Sequence, residues 1–137
     1  ILYARQLAWL HAPRDEKQVQ GGRSRAADHG EKYPDEPLPL PDVDTPELVG
    51  FLLAAGPTMA GAMGEIPLSS QEITAWADGN DIQLTPWEFS SILEASAAYA
   101  SEKYAAKDVA RPSPTAPELD DEKRKAIARN VRSMLRD

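Results

Sequence analysis

The strongest constraint on this chain is a pair of helix starts written out in full, Ser69-Ser70-Gln71-Glu72 and Thr85-Pro86-Trp87-Glu88. In each, a hydroxyl side chain can accept from the amide three residues on while the glutamate reaches back, the capping-box arrangement. Pro86 takes the first helical position, where its missing N–H costs nothing. Such caps are worth about 1 kcal/mol each. They predict helices over about 70–78 and 86–107, with Asp78-Gly79-Asn80-Asp81 closing the first. On the second, Phe89, Ile92, Leu93, Ser96, Tyr99 and Ala100 recur at steps of three and four, the stripe of a helix with one buried face. Ala95, Ala97, Ala98, Ala105 and Ala106 allow close helix–helix approach. Trp76 and Trp87 occupy matching places on consecutive helices, so they are expected to meet in the core, with Trp87 a large contributor to stability.

Prolines divide the rest. Pro34, Pro37, Pro39 and Pro41 block helix and sheet interior alike and predict an extended arm over 34–44. Two readings of it stand: a spacer, or a strap across a partner with Leu38, Leu40 and Val43 as apolar pegs. Before it, residues 1–33 read as an apolar helix over Ile1–Leu10, with Leu2, Leu7, Trp9 and Leu10 inward, followed by a basic polar segment broken at Gly21-Gly22. After it, 45–111 reads as a central helical unit. Thr45-Pro46-Glu47 starts a short helix that Gly56-Pro57 ends, and a loop rich in glycine and methionine follows it to Gly64. Met59 and Met63 on that loop either fill gaps in the core or contact a partner. Pro112, Pro114 and Pro117 make a second linker over 112–117. Residues 118–137 then read as a tethered helix with acids at its start, arginines at its end and Ile127, Val131, Met134 and Leu135 along one narrow apolar stripe. Such a stripe needs something to lie against, and docking is the reading taken. The expected fold is thus mostly α: a small helical unit with extended proline-rich arms and a tethered C-terminal helix. Since the chain begins at Ile1 and not Met, it reads as a segment of a longer translation product or a processed form.

Charge is distributed unevenly. Residues 34–102 contain twelve acids and neither Lys nor Arg. The segment before carries six bases against four acids, and the segment after carries nine against six. A middle of charge −12 repels a phosphate backbone, which argues against nucleic-acid binding by the central unit. It fits either a solvated acidic face or a docking surface for a basic partner, including the chain's own flanks. No apolar run is long enough to span a bilayer, so no membrane partner is expected.

Catalytic chemistry finds no foothold in the pattern. The chain has no cysteine, which excludes disulfides and thiolate metal sites and fits a reducing compartment. His11 and His29 stand apart with no acidic cluster at ligand spacing, and the glycines of 56–64 lack the Lys-Ser/Thr of a phosphate loop. Asp78 to Asp81 resembles the start of a calcium loop, but Leu84, Pro86 and Phe89 fall where oxygen donors are needed. Neither a metal, a cofactor nor a catalytic residue is assigned. The chain reads as a helical interaction protein, with a small enzyme or regulator as the rival class.

One resemblance extends this reading. Glu72-Ile73-x-Ala75-Trp76, then Ile82-x-Leu84-x-Pro86-Trp87-Glu88, then Ala98-Tyr99 and Lys103, preceded by Met63-Gly64-x-Ile66-Pro67-Leu68, resembles small proteins of bacteriophage tail gene clusters described as tail assembly chaperones. The likeness covers about residues 45–112 and departs at Val109-Ala110-Arg111-Pro112, where a Cys-Pro-Ala-Pro-like close would be expected. It implies a non-catalytic protein of the infected host's cytoplasm that keeps tape-measure and tail-tube proteins assembly-competent, with self-association open. The alternative is a structural component of the virion, stapling neighbouring subunits through its arms. The residues taken as partner-binding are Leu38, Leu40, Met59, Met63, Ile127, Val131, Met134 and Leu135.

Overall fold

A computed structural model describes residues 1–115, Lys125 and residues 128–132. The described residues form five α-helices, a short 3-10 helix (Gln20–Gly22) and one hairpin, in the order α1 (Leu2–His11), α2 (Arg25–Lys32), α3 (Pro46–Ala55), β1 (Thr58–Gly61), β2 (Gly64–Pro67), α4 (Ser70–Gly79) and α5 (Pro86–Ala105). The architecture is mostly α, as the patterning predicts. At twenty residues α5 is about 30 Å long, and α1, α3 and the hairpin pack around it.

The predicted helix starts are present. Ser69 Oγ accepts from the Glu72 amide at 3.1 Å. At Thr85 the box is complete: Thr85 Oγ1 accepts from the Glu88 amide at 3.2 Å, and Glu88 Oε1 accepts from the Thr85 amide at 2.9 Å. Those hydrogen bonds hold the Glu88 carboxyl below the usual range, the bond from the Thr85 backbone most of all. The stripe on α5 faces inward as read, with Ile92, Ser96 and Tyr99 buried and Phe89, Leu93 and Ala100 half-buried. Ile92 and Tyr99 meet Leu52 of α3, Leu68, Ile73 of α4 and Ala4, Leu7 and Ala8 of α1 in one apolar cluster. Burying a Leu or Ile side chain contributes about 1.5–3 kcal/mol, so α1 is a large part of what stabilises α5. It belongs to the core and is not a detached N-terminal element. Leu7 and Leu10 are buried as expected, whereas Leu2 is exposed and Trp9 half-buried.

Three further expectations are corrected. The segment after Pro13 contains a helix, α2, started by Ser24, whose hydroxyl accepts from the Ala27 amide at 3.1 Å. The glycine–methionine loop is a β-hairpin in which Met59 pairs with Ile66 and Gly61 with Gly64. Gly64 there has φ of 125°, and a side chain at Gly61 would overlap Ile66 and the Gly64 carbonyl. Alternation over four residues on each strand is too short a pattern to stand out among glycines. Finally, Trp76 and Trp87 do not meet in the core: Trp76 packs on Phe51 with ring centroids 5.6 Å apart, and Trp87 is 62% exposed. Helical phase explains it. Five residues separate Trp87 from buried Ile92, which puts the indole on the far side of α5 from the inward stripe.

Candidate protein-binding surface

The basic N-terminal flank and residues 103–115, the described start of the C-terminal flank, come together in space. Arg25 on α2 is the fastening. Its guanidinium donates to the Trp9 carbonyl in the last turn of α1 (3.1 Å), to the Ala106 carbonyl that ends α5 (2.9 Å) and to the Asp108 carbonyl just beyond (2.9 Å). The same group lies 4.4 Å from the centroid of the Trp9 ring. It therefore satisfies the orphan carbonyls of two helix C-termini at once. Burial, and then the neighbouring Arg14, pull its pKa below the ordinary arginine value, against Glu102 and Asp108. Trp9 Nε1 donates to the Arg111 carbonyl (2.9 Å), and the Arg111 side chain pairs with the buried Glu102 of α5 (3.0 Å). Arg14 pairs with Asp28, and Arg23 pairs with Asp28 and Glu31. This end of the molecule, residues 1–33 and 103–115, holds nine bases against five acids.

The acidic body packs against it through α1 and α5. Residues 34–102, with their twelve acids, form α3, the hairpin, α4, nearly all of α5 and the proline arm. Among the described residues two ion pairs join the regions: Lys103 to Glu65 at 2.8 Å and Arg111 to Glu102. The molecule is thus polar in charge, +4 over the described basic end and −12 over the body.

The proline arm is extended and lies on the chain's own surface. Buried Gln6 of α1 donates from Nε2 to the Pro39 carbonyl (3.0 Å) and accepts at Oε1 from the Ser113 hydroxyl (2.7 Å). One amide so ties down the arm and the start of the second linker. Leu40 packs against the core cluster and so points into its own molecule, whereas Leu38 is half-buried. Met59 likewise packs against the core, whereas Met63 at the hairpin tip is wholly exposed. Val131 is exposed on the helical residues 128–132; Ile127, Met134 and Leu135 lie outside the described residues, as does most of the helix read over 118–137. Met63 and Val131 are the candidates left open to solvent, and the described structure does not join the eight into one patch.

Ser96 is the polar residue that holds the hairpin. Fully buried on α5, it accepts from the Leu68 amide (2.8 Å) and donates to the Pro57 carbonyl (2.7 Å), so both hairpin ends are bound to one hydroxyl. Nearby Tyr99 has its pKa raised, mainly by burial. A serine within an apolar stripe is the signal that marks Ser96; nothing local marks Gln6, Arg25 or Glu102. Two shallow hollows, of about 700 and 250 Å³, share Pro13, Tyr104 and Lys107 and separate the hairpin tip from the basic end. Their cations are already engaged: Arg14 with Asp28, Lys103 with Glu65, and Lys107 with the Tyr104 ring at 5.0 Å. Among the described residues no group of three acids or histidines could hold a metal ion, and no helix is long and apolar enough to cross a membrane.

Set against protein-family models, curated proteins and solved structures, the chain matches none of them.

Proposed function

We propose that this chain is a non-catalytic bacteriophage tail-cluster protein, a tail assembly chaperone that keeps tape-measure and tail-tube proteins soluble until they assemble in the host cytoplasm. One observation carries the binding part of this reading: the proline arm, α3, the hairpin, α4 and α5 as far as Glu102, residues 34–102, carry twelve acids and not a single Lys or Arg, on a core that α1 completes. A surface of one sign draws an oppositely charged partner and disfavours phosphate-bearing ones. The client is therefore a protein with basic surface. The tail-specific part rests on the resemblance over about 45–112.

The second reading, a virion component that staples its neighbours, calls for free arms. Gln6 holding both Pro39 and Ser113 weighs against it.

Affinity purification of the tagged chain from infected cells tests the proposal. A basic tail protein should co-elute and be released as salt rises, because exposed charges are screened beyond about 8 Å at 0.15 M. Purified particles should lack the chain. Recovery with no tail protein, or a fixed copy number in the particle, would overturn the chaperone reading.

A further inference from the structure

The face of α5 opposite the core runs Trp87, Ser90, Glu94, Ala97, Ser101, Tyr104, and all six residues are exposed. Their steps alternate three and four, the spacing of a helix–helix seam. The two ends are large and open, Trp87 at 62% and Tyr104 at 75% exposure. Between them Ser90, Ala97 and Ser101 are small, with Glu94 the one long side chain. One exposed aromatic is ordinary. Two, at the ends of one seam, give a profile that is complementary to its own reverse.

Laid antiparallel on a second copy, the seam sets Trp87 against Tyr104, Ser90 against Ser101 and Glu94 against Ala97. No two bulky side chains collide in the middle, and tryptophan and tyrosine, the commonest interface anchors, close both ends. Charge selects the same direction. Trp87 precedes Glu88 and belongs to the stretch without bases, whereas Lys103 adjoins Tyr104 and the Lys107 ammonium sits 5.0 Å over its ring. Antiparallel pairing brings acidic start to basic end and opposes the helix dipoles, while parallel pairing sets like against like. We infer that a second copy of this chain covers this face, forming a two-fold dimer along antiparallel α5 helices. Each subunit then presents the same patch to the other, as a two-fold interface requires. The inference goes beyond client binding and is tested on the chain alone.

The absence of cysteine makes the test clean. Ser90→Cys and Ser101→Cys chains are purified separately, then treated with a short bismaleimide alone and mixed. The mixture should give a covalent dimer between the two variants, and each alone should give little. Equal cross-linking of each variant with itself would mean a parallel pair and overturn the inference. So would a lack of cross-link with sedimentation as a monomer across micromolar concentrations, the result if residues 116–137 of the same chain cover the face. Ala97→Arg should shift sedimentation to monomer with an unchanged far-UV circular dichroism spectrum, and its thermal melt should no longer depend on concentration. A dimer that survives Ala97→Arg lies elsewhere on the molecule and also overturns it.

Discussion

The two ends of α5 are held by opposite means. At its start the bonds are local: Thr85, Pro86 and Glu88 satisfy the first turn among themselves, and the adjoining Trp87 stays in solvent. At its end the bonds come from afar. Arg25, some eighty residues upstream, reaches the Ala106 and Asp108 carbonyls, and Glu102 is buried beneath Arg111. A local cap stabilises a helix wherever the helix goes; a distant guanidinium also decides what the helix lies beside. Proline at the start makes the first arrangement cheap, and three carbonyls converging on one site make the second possible.

The contrast can be broken from the distal end first. Arg25→Met removes three charge-assisted bonds and leaves carbonyls without partners, so chemical denaturation should show a loss of about 3 kcal/mol. A loss under 1 kcal/mol would mean that water replaces the guanidinium freely. Ser96→Ala, midway along the helix, orphans a buried amide and a carbonyl and should cost about 2 kcal/mol, with amide exchange quickening in the hairpin before α1. Thr85→Ala at the start should cost about 1 kcal/mol, confined to the first turn.

Smaller effects sharpen the comparison. Glu88 has a lowered pKa when folded, so its share of stability is complete above the ordinary carboxylate range and disappears as pH falls through the folded value. Exchange of the Thr85 amide should quicken over that acid range, and Glu88→Gln should remove the pH dependence. Trp87→Ala should change the stability of the monomer, measured at concentrations too low for pairing, by no more than about 0.5 kcal/mol, as for an exposed site. A change of several kcal/mol, the outcome expected of a core tryptophan, would contradict the exposure seen here.

What was legible in the sequence follows the same division. Caps, the proline-started α3 and the inward stripe of α5 depend on residues within one or two turns, and those elements stand where the pattern predicts them. Trp87 is hydrophobic enough for a core position, but helical phase counted from Ile92 puts it on the outer face. α2 was hidden by low hydrophobicity, since it lies on the body through Arg25 and not through an apolar stripe. The site fares likewise. Charge segregation is visible in the bare sequence, but that the N-terminal flank meets residues 103–115 depends on Arg25 and Trp9, which carry no mark of their own. Leu40 was taken for a peg toward a partner because an extended arm says nothing about whose surface it crosses.

The packing of α1 on α5 has a consequence in time. α1 is made before the rest of this fold, and the helix whose core face it completes begins about 75 residues later. At a synthesis rate of 5–20 residues per second, that is a wait of roughly 4–15 s. Ten residues are too few to hold a helix alone in water. Leu7 therefore waits for its α5 partners while the intervening segment is made, and the shared core is completed only when α5 packs back on α1.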